Sequence, residues 1–455
     1  MARSPFLWAF KADVHPPLFY AWFFPLRSIA SRPEVLRPLS ALMGAVAVLP
    51  ILLILAGSAS GRRVPLLGGL LFALSPLRVQ VAHLARSYSF LLLFEALALF
   101  FAVRAYERGG RGWGLYALFS TLAILTHGLA LLTLLGRLFF FGFWARRRRE
   151  ARRLIAASGV PLFAFLLWAL LHGLPGEPPS PPGLKGALSG LILSLEEPST
   201  YLVTSFWRAP GGVQRLLFAL WPAFSGLAVW GALRGRPGLL VCLFSWLGGG
   251  VALAFLCGLG RMVVLAVYTL VLLPGFLVCL AEGMGRVLRL SPRVGAVLSA
   301  LALLLHLGGA TAYLMRGGDN IDWRRVAREA ERLADVEGRG AIICRPPAAA
   351  SVLRFYVRSV PVLPEEPVIM VVAGVGRQVL PWGEPYRGET KEAVKALRFG
   401  RLVLVNWLWK FPVEPEVPGW VEGKGYKRIR RKKVTGYTQH ALIEVYERKG
   451  LKVSP

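Results

Sequence analysis

The sequence predicts a mainly α protein, a polytopic transmembrane helical bundle of about ten spans followed by a C-terminal soluble α/β domain. Three observations predict it. The chain is 55% hydrophobic and only 17% charged, whereas a water-soluble globule carries roughly 25% charged residues. Apolar runs recur near the length of about 20 residues that an α-helix needs to cross the hydrocarbon. Beyond about residue 318 the pattern changes to short β-rich runs alternating with charged helical stretches.

Apolar runs and the turn residues that break them place spans at 36–57, 64–76, 88–104, 113–126, 128–145, 154–173, 213–233, 238–258, 262–282 and 293–314. Several are short for a bilayer, so the helices are expected to extend into the flanking polar turns. The stretch 16–31 is aromatic, broken by Pro25 and accompanied by Arg27 and Arg32, and reads as an interfacial helix on the outer face.

Basic residues in the loops set the orientation. One set of alternate loops holds sixteen: Arg62, Arg63, Arg104, Arg108, Arg111, Arg146, Arg147, Arg148, Arg149, Arg152, Arg153, Arg234, Arg236, Arg286, Arg289 and Arg293. The other set holds five: Arg78, Arg86, Lys185, Arg208 and Arg261. The first set is expected in the cytoplasm. The start of the chain, the 174–212 loop and everything after 314 then lie outside the cell (inner) membrane. This patterning also accounts for much of the net charge of +29 without invoking a nucleic acid, and none is expected as a partner. Cys242, Cys257 and Cys279 fall in apolar helices and Cys344 in a strand-like run. With no CxxC pair among them, neither a zinc site nor a disulfide framework is indicated, and no residues show metal-ligand spacing.

The domain boundary is expected near 317/318. Within 318–455, DWRRVAREAERL at 322–333 reads as an amphipathic helix, AIIC at 341–344 as a strand and SVLRFYV at 351–357 as a helix. VIMVVAGV at 368–375 and LVLVNW at 402–407 read as strands flanking the helix TKEAVKALRF at 390–399. Alternating β and α suggests a partly parallel sheet. KGYKRIRRKK at 424–433 reads either as an edge strand defended by charge or as a contact for anionic headgroups.

Given the topology, Asp13, His15, His83, Arg86, His127 and Arg261 all fall on the outer face. In DVHPPLFY at 13–20, Pro16 and Pro17 fix the backbone just after Asp13 and His15, where a carboxylate can accept a proton or orient a hydroxyl. The competing account is a plain proline-initiated interfacial helix. The polar stretch 75–90 holds Arg78, Gln80, His83, Arg86 and Tyr88. Arginine suits a phosphate, with snorkelling to the membrane surface as the alternative, the more so for Arg78. Arg261, in GLGRMVV, suits a lipid phosphate or an interface anchor. His127, in LTHGLALL, reads as a structural histidine or a further outer-face candidate.

DVHPPLFY at 13–20, LRPLSALMGAVAVLP at 36–50, ALSPLRVQVAHLARSYSFLLL at 73–93, LTHGLALL at 125–132, GRMVVLAVYTLVLLPGFLVCLAEG at 260–283 and DWRRVAREAERL at 322–333, in this order, resemble the GT-C membrane glycosyltransferases of the protein O-mannosyltransferase and aminoarabinose transferase superfamily. The resemblance implies transfer of a hexosyl or pentosyl group from a polyprenyl-phosphate-linked donor to a protein, lipid or glycan acceptor on the outer face, without a nucleotide sugar. It implies that Arg86 and Arg261 hold the donor phosphate, that Asp13, with His15 beside it, is the base or orients the acceptor, and that His83, Tyr88 and His127 are further residues of that face. Members of the superfamily usually begin with another transmembrane helix and an acidic motif, often Asp-Glu, whereas twelve residues precede Asp13 here. A start set too far downstream is the expectation; the alternatives are Asp13 in the role of that motif or an inactive scaffold. A divalent metal is left open. A transporter or flippase of a lipid-linked substrate is the reading from another class, although no internal repeat is visible.

Overall fold

The computed structural model describes residues 33–58, 60–83, 87–110, 112–143, 148–172, 211–259, 266–315, 323–334, 340–345, 401–409, 425–435 and 439–448, with Leu18, Gly183, Leu184, Ala187, Leu188, Leu191, Ile192 and Glu422. The chain divides into two compact units, Met1–Ala312 and Tyr313–Pro455. Apart from Leu18, which is helical and packs on the core, the expected interfacial helix at 16–31 lies outside the described residues.

The first unit is helical: α1 (Pro33–Val46), α2 (Val48–Leu55), α3 (Arg63–Leu74), α4 (Pro76–His83), α5 (Tyr88–Arg108), α6 (Gly112–Thr126), α7 (Ala130–Phe143), α8 (Arg148–His172), α9 (Gly211–Arg234), α10 (Leu239–Gly258), a 3₁₀ helix (Ala266–Leu272), α11 (Leu273–Leu290) and α12 (Pro292–Met315). A helix stands at each of the ten expected positions. Among the described residues six stretches are long and apolar enough to cross a membrane: Arg37–Leu55, Tyr88–Arg108, Arg149–Leu170, Leu239–Gly258, Tyr268–Leu290 and Pro292–Thr311. The pair α3–α4, bent by 50°, makes a seventh if it is one span, while Gly112–Thr126 and Ala130–Phe139 are apolar but shorter. The chain is an integral membrane protein.

The bend between α3 and α4 departs from the sequence reading, which ended a span at 76 and placed a polar stretch after it. Pro76 lacks the amide that would continue the α3 ladder, so the helix breaks there and restarts in a new direction. The charge of Arg78 does not prevent this. Its Nε donates to the Gly44 carbonyl at 3.2 Å and its Nη1 to the Ala73 carbonyl at 2.6 Å, capping neighbouring helix ends. At the far end of α5, Gly109 takes φ +72° and its amide bonds back to the Ala105 carbonyl, a stop that suits glycine.

Lipid tails are as apolar as leucine, so helices in a bilayer associate by close packing rather than by escape from water. α11 lies at the centre, buried at every residue from Leu273 to Gly285. A Cβ on Gly275 would stand 2.5 Å from the Cys242 carbonyl oxygen of α10. A Cβ on Gly136 of α7 would stand 2.5 Å from both the Gly249 nitrogen and the Phe244 carbonyl oxygen of α10. Gly231 of α9 meets the backbone of Gly283 in α11 in the same way. Phe163, Leu170, Val297 and Leu304, on α8 and α12, are exposed, as side chains that meet lipid are.

The second unit, among its described residues, pairs helix α13 (Trp323–Ala334) with strands β1 (Gly340–Arg345), β2 (Arg401–Trp409), β3 (Tyr426–Thr435) and β4 (Gln439–Arg448). The sheet order is β1-β2-β4-β3. β1 and β2 are parallel, and β4 is antiparallel to both β2 and β3. α13 packs on β1, β2 and β4 through a stripe of Val326, Ala327, Ala330, Leu333 and Ala334, all buried, at the spacing of one helix face. The strand readings at 341–344 and 402–407 fall in β1 and β2, and most of 424–433 forms the edge strand β3. The readings at 351–357, 368–375 and 390–399 lie outside the described residues.

Gly136→Ala should lower the unfolding midpoint in detergent, at a cost of about 1–3 kcal/mol for backbone displacement. Gly159→Ala, with nothing within 4 Å of the new methyl, should leave the midpoint unchanged or raise it, since alanine is the better helix former. In the second unit, Glu329 accepts hydrogen bonds from Arg332 Nη2 and Lys432 Nζ, each at 2.9 Å. These bonds bring its carboxyl from the ordinary 4.5 down to about 2. A depressed folded value means that its contribution is complete above the ordinary value and is lost as the pH falls through about 2. Glu329→Gln should remove that part of the acid dependence, read by hydrogen exchange of α13.

Candidate functional site

The 3₁₀ helix Ala266–Leu272 packs against α4, α5, α7, α10 and α11. It therefore gathers, at one end of the bundle, the end of α4 at His83, the start of α5 at Tyr88 and the start of α7 after His127. Tyr88 and His127 are both buried, and their rings lie 5.2 Å apart between centroids at 32°. His127 Nδ1 accepts the Leu129 amide at 3.2 Å, which fixes the ring against its own turn. Ser89 Oγ donates to the Val81 carbonyl at 3.2 Å, tying the start of α5 to α4. Gly183 donates its amide to the Gly258 carbonyl at 2.8 Å, so part of the 174–212 loop reaches the end of α10.

Of the sequence-derived candidates, His83 is exposed at the end of α4, and Tyr88 and His127 are in contact. Asp13, His15, Arg86 and Arg261 lie outside the described residues. The described residues flanking 84–86 are His83 and Ser87, and those flanking 260–265 are Leu259 and Ala266. Arg78 donates to two backbone carbonyls and acts as a brace between helix ends. Among the described residues no group of three or more His, Cys, Asp or Glu stands together as a metal site.

A second polar group was not anticipated. Arg137 of α7 is fully buried and pairs with buried Glu95 of α5. Its Nε donates to the Thr133 carbonyl at 3.1 Å and its Nη2 to Thr133 Oγ1 at 2.9 Å. The guanidinium also lies 5.5 Å from the Tyr116 ring centroid, a cation–π contact. The Tyr116 hydroxyl shares a 3.0 Å hydrogen bond with Ser158 Oγ. The sequence signal was present, since a charge inside an apolar span is costly unless paired, but Glu95 and Arg137 are 42 residues apart and only the fold joins them.

No family model and no curated protein sequence matches the chain. Solved structures do. ArnT from Cupriavidus metallidurans in the apo state matches with a TM-score of 0.53 at 14% identity, covering 94% of this chain and 87% of that one. The same protein bound to undecaprenyl phosphate matches with a TM-score of 0.50 at 14% identity, covering 95% and 88%. The chain has the fold of ArnT.

The end opposite Tyr88 and His127 is closed by ion pairs. Arg236 binds Glu107 at 2.7 Å and also the Ile54 carbonyl. Glu282, buried, accepts from Ser58 Oγ at 2.5 Å, from Ser60 Oγ and from Arg286 at 3.3 Å. Glu150 takes the Trp113 indole N–H at 2.8 Å and Arg153 at 2.9 Å. These contacts tie loops to helix ends, which leaves the Tyr88–His127 end as the candidate site.

The Glu95–Arg137 pair yields a prediction of its own. Arg137→Met should destabilise the bundle by about 3–5 kcal/mol, because it leaves a buried carboxylate unpaired, whereas adding Glu95→Met should recover most of the loss. Thermal unfolding of the two single variants and the double variant in detergent measures the coupling.

Proposed function

We propose that the chain is a GT-C membrane glycosyltransferase, moving a hexosyl or pentosyl group from a polyprenyl-phosphate-linked donor to an acceptor on the outer face of the cell (inner) membrane. The observation that supports this most is the fold shared with ArnT over nearly the whole chain, together with a structure of that protein bound to undecaprenyl phosphate. In this reading Arg86 and Arg261 hold the donor phosphate at the headgroup level and stabilise the leaving charge. Asp13, with His15 beside it, takes the proton of the acceptor hydroxyl while its oxygen attacks the anomeric carbon. The bond from that carbon to the phosphate oxygen breaks, and polyprenyl phosphate leaves with the electron pair. His83, Tyr88 and His127 belong to the same face, and the domain 318–455 is extracytoplasmic.

A second reading, flipping of a lipid-linked substrate, draws on the Glu95–Arg137 charges inside the bundle. Both partners are buried and bonded to their neighbours, which suits a fixed strut better than a moving gate.

One experiment addresses both readings. The chain in nanodiscs is titrated with undecaprenyl phosphate, and Arg261→Ala should raise the Kd about ten- to hundredfold, the worth of one charge-assisted contact. Unchanged binding would return Arg261 to the role of interface anchor. A sugar-labelled polyprenyl phosphate then distinguishes the chemistry. Release of the label from the lipid marks transfer, whereas an intact donor that merely changes leaflet would overturn the enzyme reading.

A further inference from the structure

We propose that the β3 edge of the second unit docks on anionic phospholipid headgroups. Among the described strands β3 lies at the edge of the sheet, and it carries six cations in ten residues, Lys427, Arg428, Arg430, Arg431, Lys432 and Lys433. Three of them form ion pairs within the unit, sharing two carboxylates. Arg428 and Arg431 pair with buried Glu444 at 3.0 and 3.5 Å, and Lys432 pairs with Glu329 at 2.9 Å. Lys427, Arg430 and Lys433 are exposed and make no ion pair among the described residues.

Keeping an edge strand from pairing with another chain takes a charge or two, or a bulge. β3 has a bulge between Arg428 and Arg430 as well as the row of cations. Like charges at this density repel one another, and an anionic surface relieves that repulsion. The residue in the bulge decides between anionic partners. Ile429 is a large apolar side chain, 48% exposed, set between two arginines. A soluble polyanion offers it nothing, while a headgroup layer over acyl chains accepts both the cations and the isoleucine. A bilayer is at hand, because seven residues, 316–322, separate α12 from α13 in the chain.

The proposal is independent of the sugar-transfer reading, and so is its test. The full chain is placed in nanodiscs of phosphatidylcholine, alone or with phosphatidylglycerol, and amide hydrogen exchange is followed over 426–435. Phosphatidylglycerol should slow exchange there, and the slowing should vanish at about 0.5 M salt, where screening is nearly complete. In the triple variant Lys427→Gln, Arg430→Gln, Lys433→Gln the docking equilibrium should fall roughly hundredfold, from about fivefold per cation. Ile429→Ser should weaken it as well. The substitutions leave the Glu444 and Glu329 pairs in place, so unchanged exchange in β4 confirms that the sheet persists. Equal exchange in the two lipid mixtures overturns the proposal. So does slowing by a soluble polyphosphate in phosphatidylcholine nanodiscs without any slowing by phosphatidylglycerol, which assigns the strip to an anionic polymer.

Discussion

Hydrocarbon supplies no hydrogen bonds, so a charge carried into the bundle must meet its partner there. Glu95 and Arg137 obey this constraint, and much of the first unit depends on how they do so. Glu95 stands seven residues into α5 from Tyr88, and Arg137 seven residues into α7 from Ala130. At 1.5 Å per residue each lies about 10 Å below the start of its helix. Pairing them sets α5 and α7 level, so Tyr88 and the turn of His127 arrive at the same height and their rings meet. Next to Arg137, Gly136 brings α7 against α10, Gly275 brings α10 against α11, and Gly283 brings α11 against α9. The polar contact sets the register, and the small residues carry it across the bundle.

The two ends of the bundle use their polar groups differently. Where the loops are rich in arginine, the described carboxylates of Glu107, Glu150 and Glu282 each hold a cation, and Ser58, Ser60 and Trp113 add hydrogen bonds to two of them. Such contacts anchor loops to helix ends. At the Tyr88–His127 end three side chains bond to backbone: Ser89 to Val81, His127 to Leu129, and Arg78 to Gly44 and Ala73. Backbone bonds hold helix ends together without consuming a carboxylate.

Hydropathy made the helix positions legible because lipid acts on composition over a whole span. The same averaging hid local detail. Residues 76–83 look polar in a window, yet form α4, because Arg78 spends its charge on carbonyls rather than on solvent. The Glu95–Arg137 pair was invisible for a different reason: each residue reads alone as an oddity in an apolar run, and sequence spacing carries no information on a contact between helices. In the second unit, β1 and β2 announce themselves as aliphatic runs. β4, QHALIEVYER, does not, since Glu444 sits buried in its middle and breaks the alternation expected of a strand. Only the arginines of β3 explain why a carboxylate can be there. Of the candidate site, the Tyr88–His127 contact required the fold, while Asp13, His15, Arg86 and Arg261 rest on sequence.

A fold shared at 14% identity follows from the same physics. Positions facing lipid accept any apolar side chain, so they drift without cost. Positions between helices require small size more than particular chemistry, as at Gly136, Gly231 and Gly283. A fold held in this way constrains function weakly, so chemistry must be argued from individual residues. Glu95, Arg137, Thr133, Tyr116 and Ser158 answer one another inside the bundle. Tyr88 and His127 stand where α4, α5, α7 and the 3₁₀ helix converge, their rings in contact and His127 held by the Leu129 amide.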